Sequence, residues 1–134
     1  MHAGLDLDAE AQTARFLRAI DNPRVGIIGH PTGRLIGRRQ PASVSMERIM
    51  DAAHDAGCVL ELNANPTRLD LSDIHCRMAA ERGVGIAIST DAHCTGGLAH
   101  MRYGVDKARR GWLTADHVVN TRGWADLSKM LRRP

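Results

Sequence analysis

The sequence predicts an α/β fold with mainly parallel strands and flanking helices. Two observations lead to this prediction. Short apolar runs without polar alternation occur at residues 25–29, 59–62 and 84–89, and a helical pattern precedes each of them. Such runs are typical of strands covered on both faces of a parallel sheet, and their recurrence matches the length of one βαβ unit. The chain has 134 residues, of which 43% are hydrophobic, so we expect one domain at most.

Capping and breaking residues delimit the predicted helices. The first helix spans residues 8–21 and begins at an acidic residue. Ser45 can cap a second helix that Gly57 ends, and Ser72 can cap a third helix that stops near Gly83. Downstream of the third strand we expect no further strand and only short helices, around residues 98–110, 114–119 and 124–131.

Composition narrows the class of protein. The formal net charge of +3 suits a phosphate-bearing substrate but is common among enzymes. Cys58, Cys76 and Cys94 include no CxxC pair, so we expect reduced thiols and neither a disulfide framework nor a zinc ribbon. No apolar run is long enough to cross a bilayer and no leader pattern opens the chain, which predicts a cytoplasmic protein that does not bind membranes.

The ends of the predicted strands carry residue types that bind metals. His30 follows the first strand, the turn at residues 61–65 closes the second, and Asp91 and His93 follow the third. Loops at the carboxyl ends of parallel strands converge on one face, and imidazole with carboxylate suits Zn²⁺, Mn²⁺ or Fe. The pattern favours a metal site, while a hydrogen-bonded loop histidine and a helix-capping aspartate would give the same pattern.

Three motifs in this order resemble the PHP (polymerase and histidinol phosphatase) domain of bacterial family-X DNA polymerases. They are GHPTGRLI at residues 29–36, LELNANPTRLDL at residues 60–71 and STDAH at residues 89–93. The similarity continues through residues 104–113 and 119–121. The resemblance implies that the chain is the C-terminal portion of a distorted (β/α)7 PHP barrel whose strand ends hold up to three divalent metal ions (Mn²⁺, Zn²⁺ or Fe²⁺).

The resemblance also assigns metal ligands. His30 matches the ligand of the family's GHP motif, and Asp91 and His93 match the ligands of its DAH motif. His2 matches the ligand of a short V-H-S segment, since its distance from His30 along the chain is similar to the family's spacing. The implied ligand set of this chain is therefore His2, His30, Asp91 and His93.

Four further residues are candidates for supporting roles. Arg34 and Arg68 could contact substrate phosphate, because a guanidinium pairs well with phosphate oxygens, although ordinary salt bridges would explain either residue equally well. Glu61 and Asn63 are expected to orient loops or metal ligands.

The chain also departs from the family pattern. The family begins its domain with an HxH motif and supplies further histidine and acidic ligands upstream of the segment that contains His2, and this chain has none of them. We therefore expect residues 1–134 to be a partial PHP domain without its N-terminal strands. Such a piece would have unpaired sheet edges and would need the missing N-terminal half or an oligomeric partner.

The resemblance implies a metal-dependent phosphoesterase like the 3′-5′ exonuclease and 3′-end processing domain of these polymerases, which act in DNA repair. The substrate would be a phosphate ester such as a DNA 3′ end. Two alternatives remain open: a small-molecule phosphatase of the histidinol-phosphatase type, and a catalytically inactive remnant that binds a partner. Because part of the ligand set is absent, the sequence leaves open whether this chain is itself an enzyme.

Overall fold

A computed structural model describes residues 7–131 of the chain. The three strands in this range form one parallel sheet of order β1-β2-β3, which is not closed into a barrel. The predicted α/β class, with parallel strands and flanking helices, is confirmed. The elements in chain order are α1 (Ala9–Asp21), β1 (Ile27–Ile28), α2 (Met46–Asp55), β2 (Val59–Asn63), α3 (Asp73–Glu81), β3 (Ile86–Ser89), α4 (Met101–Arg110) and α5 (Trp124–Leu131).

The predicted boundaries of the first three helices are confirmed. The side chains of Asp8, Ser45 and Ser72 each accept a hydrogen bond from a backbone N–H in the first turn of the helix that follows. Gly57 and Gly83 follow α2 and α3 with φ of +64° and +71°, a conformation that glycine adopts without steric cost. In the C-terminal third, short 3-10 helices occupy part of the predicted helical stretches, at Thr95–His100, Ala115–His117 and Val119–Thr121.

The core lies around β2, the central strand of the sheet. Helix α2 packs against β2 and α1, while α4 packs against β2, β3 and α3. Aliphatic side chains fill most of this core, because only 3% of the residues are aromatic. The largest apolar side chains in it are Phe16, Ile20, Ile49, Met50, Leu60, Leu62, Leu71 and Ile86. No helix in the described part of the chain is long and apolar enough to span a membrane.

The two sides of the sheet end differently. Beyond β3, the side chain of Asn120 accepts the N–H of Ile88 at 2.8 Å and donates to its carbonyl at 2.9 Å, so a side-chain amide covers this edge. Beyond β1, no other strand of residues 7–131 pairs with it. The prediction that the first strand is covered on both faces is wrong for Ile27, which is 41% exposed, because β1 is only two residues long and lies at the side of the sheet.

Candidate active site at the carboxyl edge of the sheet

His30 and Asp91 follow β1 and β3 and meet at the carboxyl edge of the sheet. His30 Nε2 lies 3.7 Å from Asp91 Oδ2. Both residues have positive φ, 49° for His30 and 53° for Asp91, in a region that side-chain-bearing residues rarely occupy. Such backbone outliers cluster at functional sites, where the surrounding structure holds them in place. This edge of the sheet is therefore the candidate site.

Glu61 lies on β2, between these two strand exits. Its carboxylate accepts the backbone N–H of His30 at 2.6 Å and the hydroxyl of Ser89. The side-chain amide of Asn63 donates to the same carboxylate at 3.4 Å. One partly buried side chain thus links the carboxyl ends of all three strands, as expected of a residue that orients the loops of the site.

The His30 imidazole faces two polar groups on β2. Its Nδ1 lies 3.3 Å from Asn63 Nδ2 and 3.5 Å from Glu61 Oε2. The Asn63 amide is oriented by the backbone N–H of Asn65, which donates to Asn63 Oδ1 at 3.0 Å. The imidazole is therefore held from its Nδ1 side, and its Nε2 side faces Asp91.

Burial lowers the pKa of His30 below its ordinary value. The carboxylate of Glu61 acts against burial, the guanidinium of Arg68 lowers the pKa further, and Asp91 raises it. The net direction favours the neutral imidazole, which is the form that coordinates metal ions.

The imidazole of His93 is oriented by a backbone carbonyl rather than by other side chains. Its Nδ1 lies 2.8 Å from the backbone carbonyl oxygen of Asp91. A carbonyl only accepts hydrogen bonds, so Nδ1 carries the proton and Nε2 of the neutral ring has a free lone pair. Histidines that bind metals are typically oriented in this way. The His93 side chain is exposed, and no group of three or more histidine, cysteine or acidic side chains within residues 7–131 is arranged to hold a metal ion.

The donors that do converge fit two ligands of one ion. Metal bonds of about 2.0–2.2 Å at tetrahedral angles place two donor atoms roughly 3.4 Å apart. The 3.7 Å between His30 Nε2 and Asp91 Oδ2 is close to that spacing. His2, the remaining ligand implied by the resemblance, lies outside the described residues. Residues 7–131 therefore supply two converging donors, and a third, His93, two residues beyond Asp91 on the same loop.

The two arginines singled out from the sequence have different surroundings. Arg68 Nε lies 3.5 Å from Asp91 Oδ2, and Arg68 Nη1 is buried with no hydrogen-bond partner among the described residues. Arg34 donates from Nε to the Arg68 carbonyl at 2.6 Å and from Nη2 to the Leu69 carbonyl. Arg34 thus holds the loop from which Arg68 reaches the site.

Asp70 is a fully buried carboxylate that the sequence analysis did not single out. It accepts the hydroxyl and backbone N–H of Thr32 and the backbone N–H of Gly33, at 2.9–3.3 Å. These bonds anchor the loop that follows His30. The signal available in the sequence was the position of Asp70 between two leucines. A carboxylate within an apolar segment is buried with its neighbours and then needs several hydrogen-bond donors.

The fold and this edge define a parallel α/β protein with histidine and carboxylate groups at its strand ends. The chain is similar to the DNA polymerase/3′-5′ exonuclease PolX of Bacillus subtilis (strain 168), at 40% identity over 133 residues, covering 99% of this chain and 23% of that protein. It is also similar to a probable phosphatase of Thermoanaerobacter sp. (strain X514), at 29% identity over 85% of this chain and 46% of that protein.

A third similarity is to a probable phosphatase of Caldanaerobacter subterraneus subsp. tengcongensis, at 34% identity over 64% of this chain and 34% of that protein. No protein-family model matches the chain. The chain spans less than half the length of each of these relatives. These similarities support the predicted resemblance, because a region similar to this chain occurs both in a polymerase/exonuclease and in phosphatases.

Proposed function

We propose that this chain is the C-terminal part of a PHP-type, metal-dependent phosphoesterase domain. The observation that supports this most directly is the convergence of His30 and Asp91 from separate strand ends, 3.7 Å apart, on a site backed by Glu61. Similarity to a polymerase/exonuclease and also to phosphatases supports phosphate-ester chemistry, which is common to both names.

The proposed metal ligands are His2, His30, Asp91 and His93, and the ions would be Mn²⁺, Zn²⁺ or Fe²⁺. A divalent ion bound there would polarise a phosphoryl oxygen and activate water for attack on phosphorus. Glu61 would keep the His30 imidazole in place by bonding the backbone N–H of the same residue. Burial lowers the pKa of that imidazole, which favours the neutral form that binds metal ions.

Arg68 is the stronger of the two proposed phosphate contacts. It lies beside Asp91, and its side chain is 15% exposed, so part of it reaches the surface of the site. Two nitrogen atoms of Arg34 already donate to loop carbonyls, so only part of its guanidinium is left for a phosphate. We infer that Arg68 contacts the substrate and that Arg34 holds the Arg68 loop.

We also propose that residues 1–134 form a partial domain. The rest of the ligand set and of the barrel would come from an upstream HxH segment or from a second chain. The outer side of β1, which has no strand partner within residues 7–131, is where the additional strands would join.

Two substrate classes follow from the similarities. A DNA 3′ end fits the polymerase/exonuclease, and a small phosphate monoester fits the phosphatases. An inactive, partner-binding remnant is the third candidate.

The proposal is tested by the metal content of the purified chain and by its Mn²⁺-dependent hydrolysis of three substrates: 3′-recessed DNA, a generic phosphodiester and a phospho-sugar. Asp91→Ala removes a proposed ligand, and Asp55→Asn, at an exposed carboxylate at the end of α2, is the matched control. Of these two variants, we expect only Asp91→Ala to lose bound metal and turnover.

The pattern of substrates separates the alternatives. Hydrolysis of the phospho-sugar without the DNA end would favour the small-molecule phosphatase. Absence of both metal and turnover in the unmodified chain would contradict activity of this chain and would favour the remnant.

A further inference from the structure

A basic loop follows β1 on the same edge as the candidate site. We call residues 33–41 the arginine loop, because Arg34, Arg38 and Arg39 lie within it. Residues 31–46 contain no aspartate or glutamate. The loop lines a concave space of about 460 Å³. A set of cations without neighbouring acids in its own segment attracts anions from solution.

Two of the three arginines build the loop. Arg39 donates from Nε and Nη2 to the Gly33 carbonyl, at 2.9 and 2.6 Å, and the Leu35 N–H donates to the Arg39 carbonyl at 3.0 Å. Arg34 joins the loop to the neighbouring carbonyls of Arg68 and Leu69. These bonds give the loop a defined shape.

Arg38 is the remaining arginine, and it is exposed. Its side chain forms no hydrogen bond or ion pair with any residue in the range 7–131. Backbone and arginine hydrogen bonds hold the loop around Arg38 in one conformation. The Arg38 guanidinium therefore extends into solvent from an ordered backbone.

The arginine loop adjoins the candidate site through the Arg68 segment. The backbone N–H of Ile36 donates to the Thr67 carbonyl at 2.8 Å, and the next residue, Arg68, reaches Asp91. From Ile36 to Arg38 the chain advances two residues, at most about 7 Å. Arg38 therefore lies on the Arg68 side of the site and is offset from its centre.

We propose that the arginine loop binds the phosphodiester backbone of a single nucleic-acid strand that leads into the candidate site. Arg38 would contact a phosphate other than the one positioned for reaction. This inference rests on the proposed phosphoesterase function and deepens it, because a small phosphate monoester has no second phosphate to offer at the offset position of Arg38.

The loop contains no aromatic residue on which a base could stack. The contacts would therefore be to phosphate groups, which carry no sequence information. Binding should be independent of base sequence and should weaken as salt concentration rises, because each neutralised phosphate releases counterions.

The experiment measures binding without hydrolysis. Fluorescence anisotropy of a labelled single-stranded DNA is recorded with the full chain in EDTA, over a series of KCl concentrations. Arg38→Ala should weaken binding by about threefold to tenfold and reduce the slope of log K against log salt by about 0.7. Arg38→Lys should retain most of the affinity, because a phosphate contact requires mainly the charge.

Arg24→Ala is the matched control. Arg24 is an exposed arginine that precedes β1, at the opposite edge of the sheet. We expect its removal to leave both affinity and salt slope unchanged. The inference is overturned if the unmodified chain does not bind the strand, if Arg38→Ala binds like the unmodified chain, or if both variants lose affinity equally.

Hydrolysis of a small generic phosphodiester, measured separately with Mn²⁺, distinguishes failure of this inference from failure of the proposed function. Turnover that persists while Arg38→Ala leaves DNA binding unchanged would overturn the arginine-loop inference alone. Absence of turnover together with Arg38-dependent DNA binding would contradict phosphoesterase activity of the isolated chain and retain the loop as a nucleic-acid contact.

Discussion

The backbone N–H of His30 donates a hydrogen bond of 2.6 Å to the side chain of Glu61, 31 residues further along the chain. The same carboxylate accepts the hydroxyl of Ser89, at the end of β3. Because these donors come from different strand exits, Glu61 determines how the exits sit relative to one another. The candidate site therefore depends on a residue that need not touch a substrate.

We expect Glu61→Ala to lower the free energy of unfolding by about 1–3 kcal/mol, because it leaves partly buried donors without their acceptor. Glu61→Gln keeps one oxygen and should cost about 1 kcal/mol. Urea unfolding followed by circular dichroism measures both changes. The control is Glu81→Ala, which removes an exposed i,i+4 pair with Arg77 and should cost at most about 0.5 kcal/mol. Similar losses for Glu61→Ala and Glu81→Ala would contradict the central role of Glu61.

Asp70 and Thr32 should be energetically coupled. The Asp70 carboxylate accepts both the hydroxyl and the backbone N–H of Thr32. Asp70→Asn and Thr32→Val should each lower the free energy of unfolding by about 1–3 kcal/mol, and the double variant should cost at least about 0.5 kcal/mol less than their sum. A double-mutant cycle in urea measures this coupling. Strict additivity would mean that the hydroxyl bond does not contribute to holding the loop.

Gly104 lets α4 approach the sheet closely. A Cβ atom at this position would lie 2.5 Å from Ile88 Cγ2 and 2.8 Å from Ala64 Cβ. We expect Gly104→Ala to destabilise the fold by about 1–3 kcal/mol, because overpacking outweighs the gain of about 1 kcal/mol in helix propensity.

Gly123→Ala is the control for this prediction, since a Cβ there meets no atom within 4 Å. Its thermal midpoint should stay close to that of the unmodified chain, while that of Gly104→Ala should fall by several degrees. A midpoint for Gly104→Ala at or above that of the unmodified chain would show that α4 does not pack this closely.

The three cysteines should differ in reactivity. Cys94 is exposed, whereas Cys58 and Cys76 are buried. Burial also raises the pKa of the Cys76 thiol to about 12, and the thiolate is the reactive form. With a thiol-specific reagent near pH 8, we expect one cysteine to react promptly and all three to react in urea. Cys94→Ser should abolish the prompt phase, and prompt labelling of Cys76 would contradict the packing of α3.

Local patterns predicted the elements because their causes are local. Ser45 and Ser72 cap helices with bonds to residues three positions away, and Gly57 ends α2 through its own backbone conformation. The meeting of His30 and Asp91 was also predictable, because parallel strands bring their carboxyl ends to one edge. These features were accessible from residue order and periodicity.

The contacts that hold the site together depended on the folded structure. Asp70 bonds Thr32 across 38 residues, and Asn120 covers Ile88 across 32 residues, so neither pairing leaves a periodic signal in the sequence. The exposure of Ile27 likewise depends on the position of β1 in the sheet rather than on residue type. Hydrogen bonds and burial of this kind are set by which segments pack together in space, and hydrophobic periodicity constrains that packing only in outline.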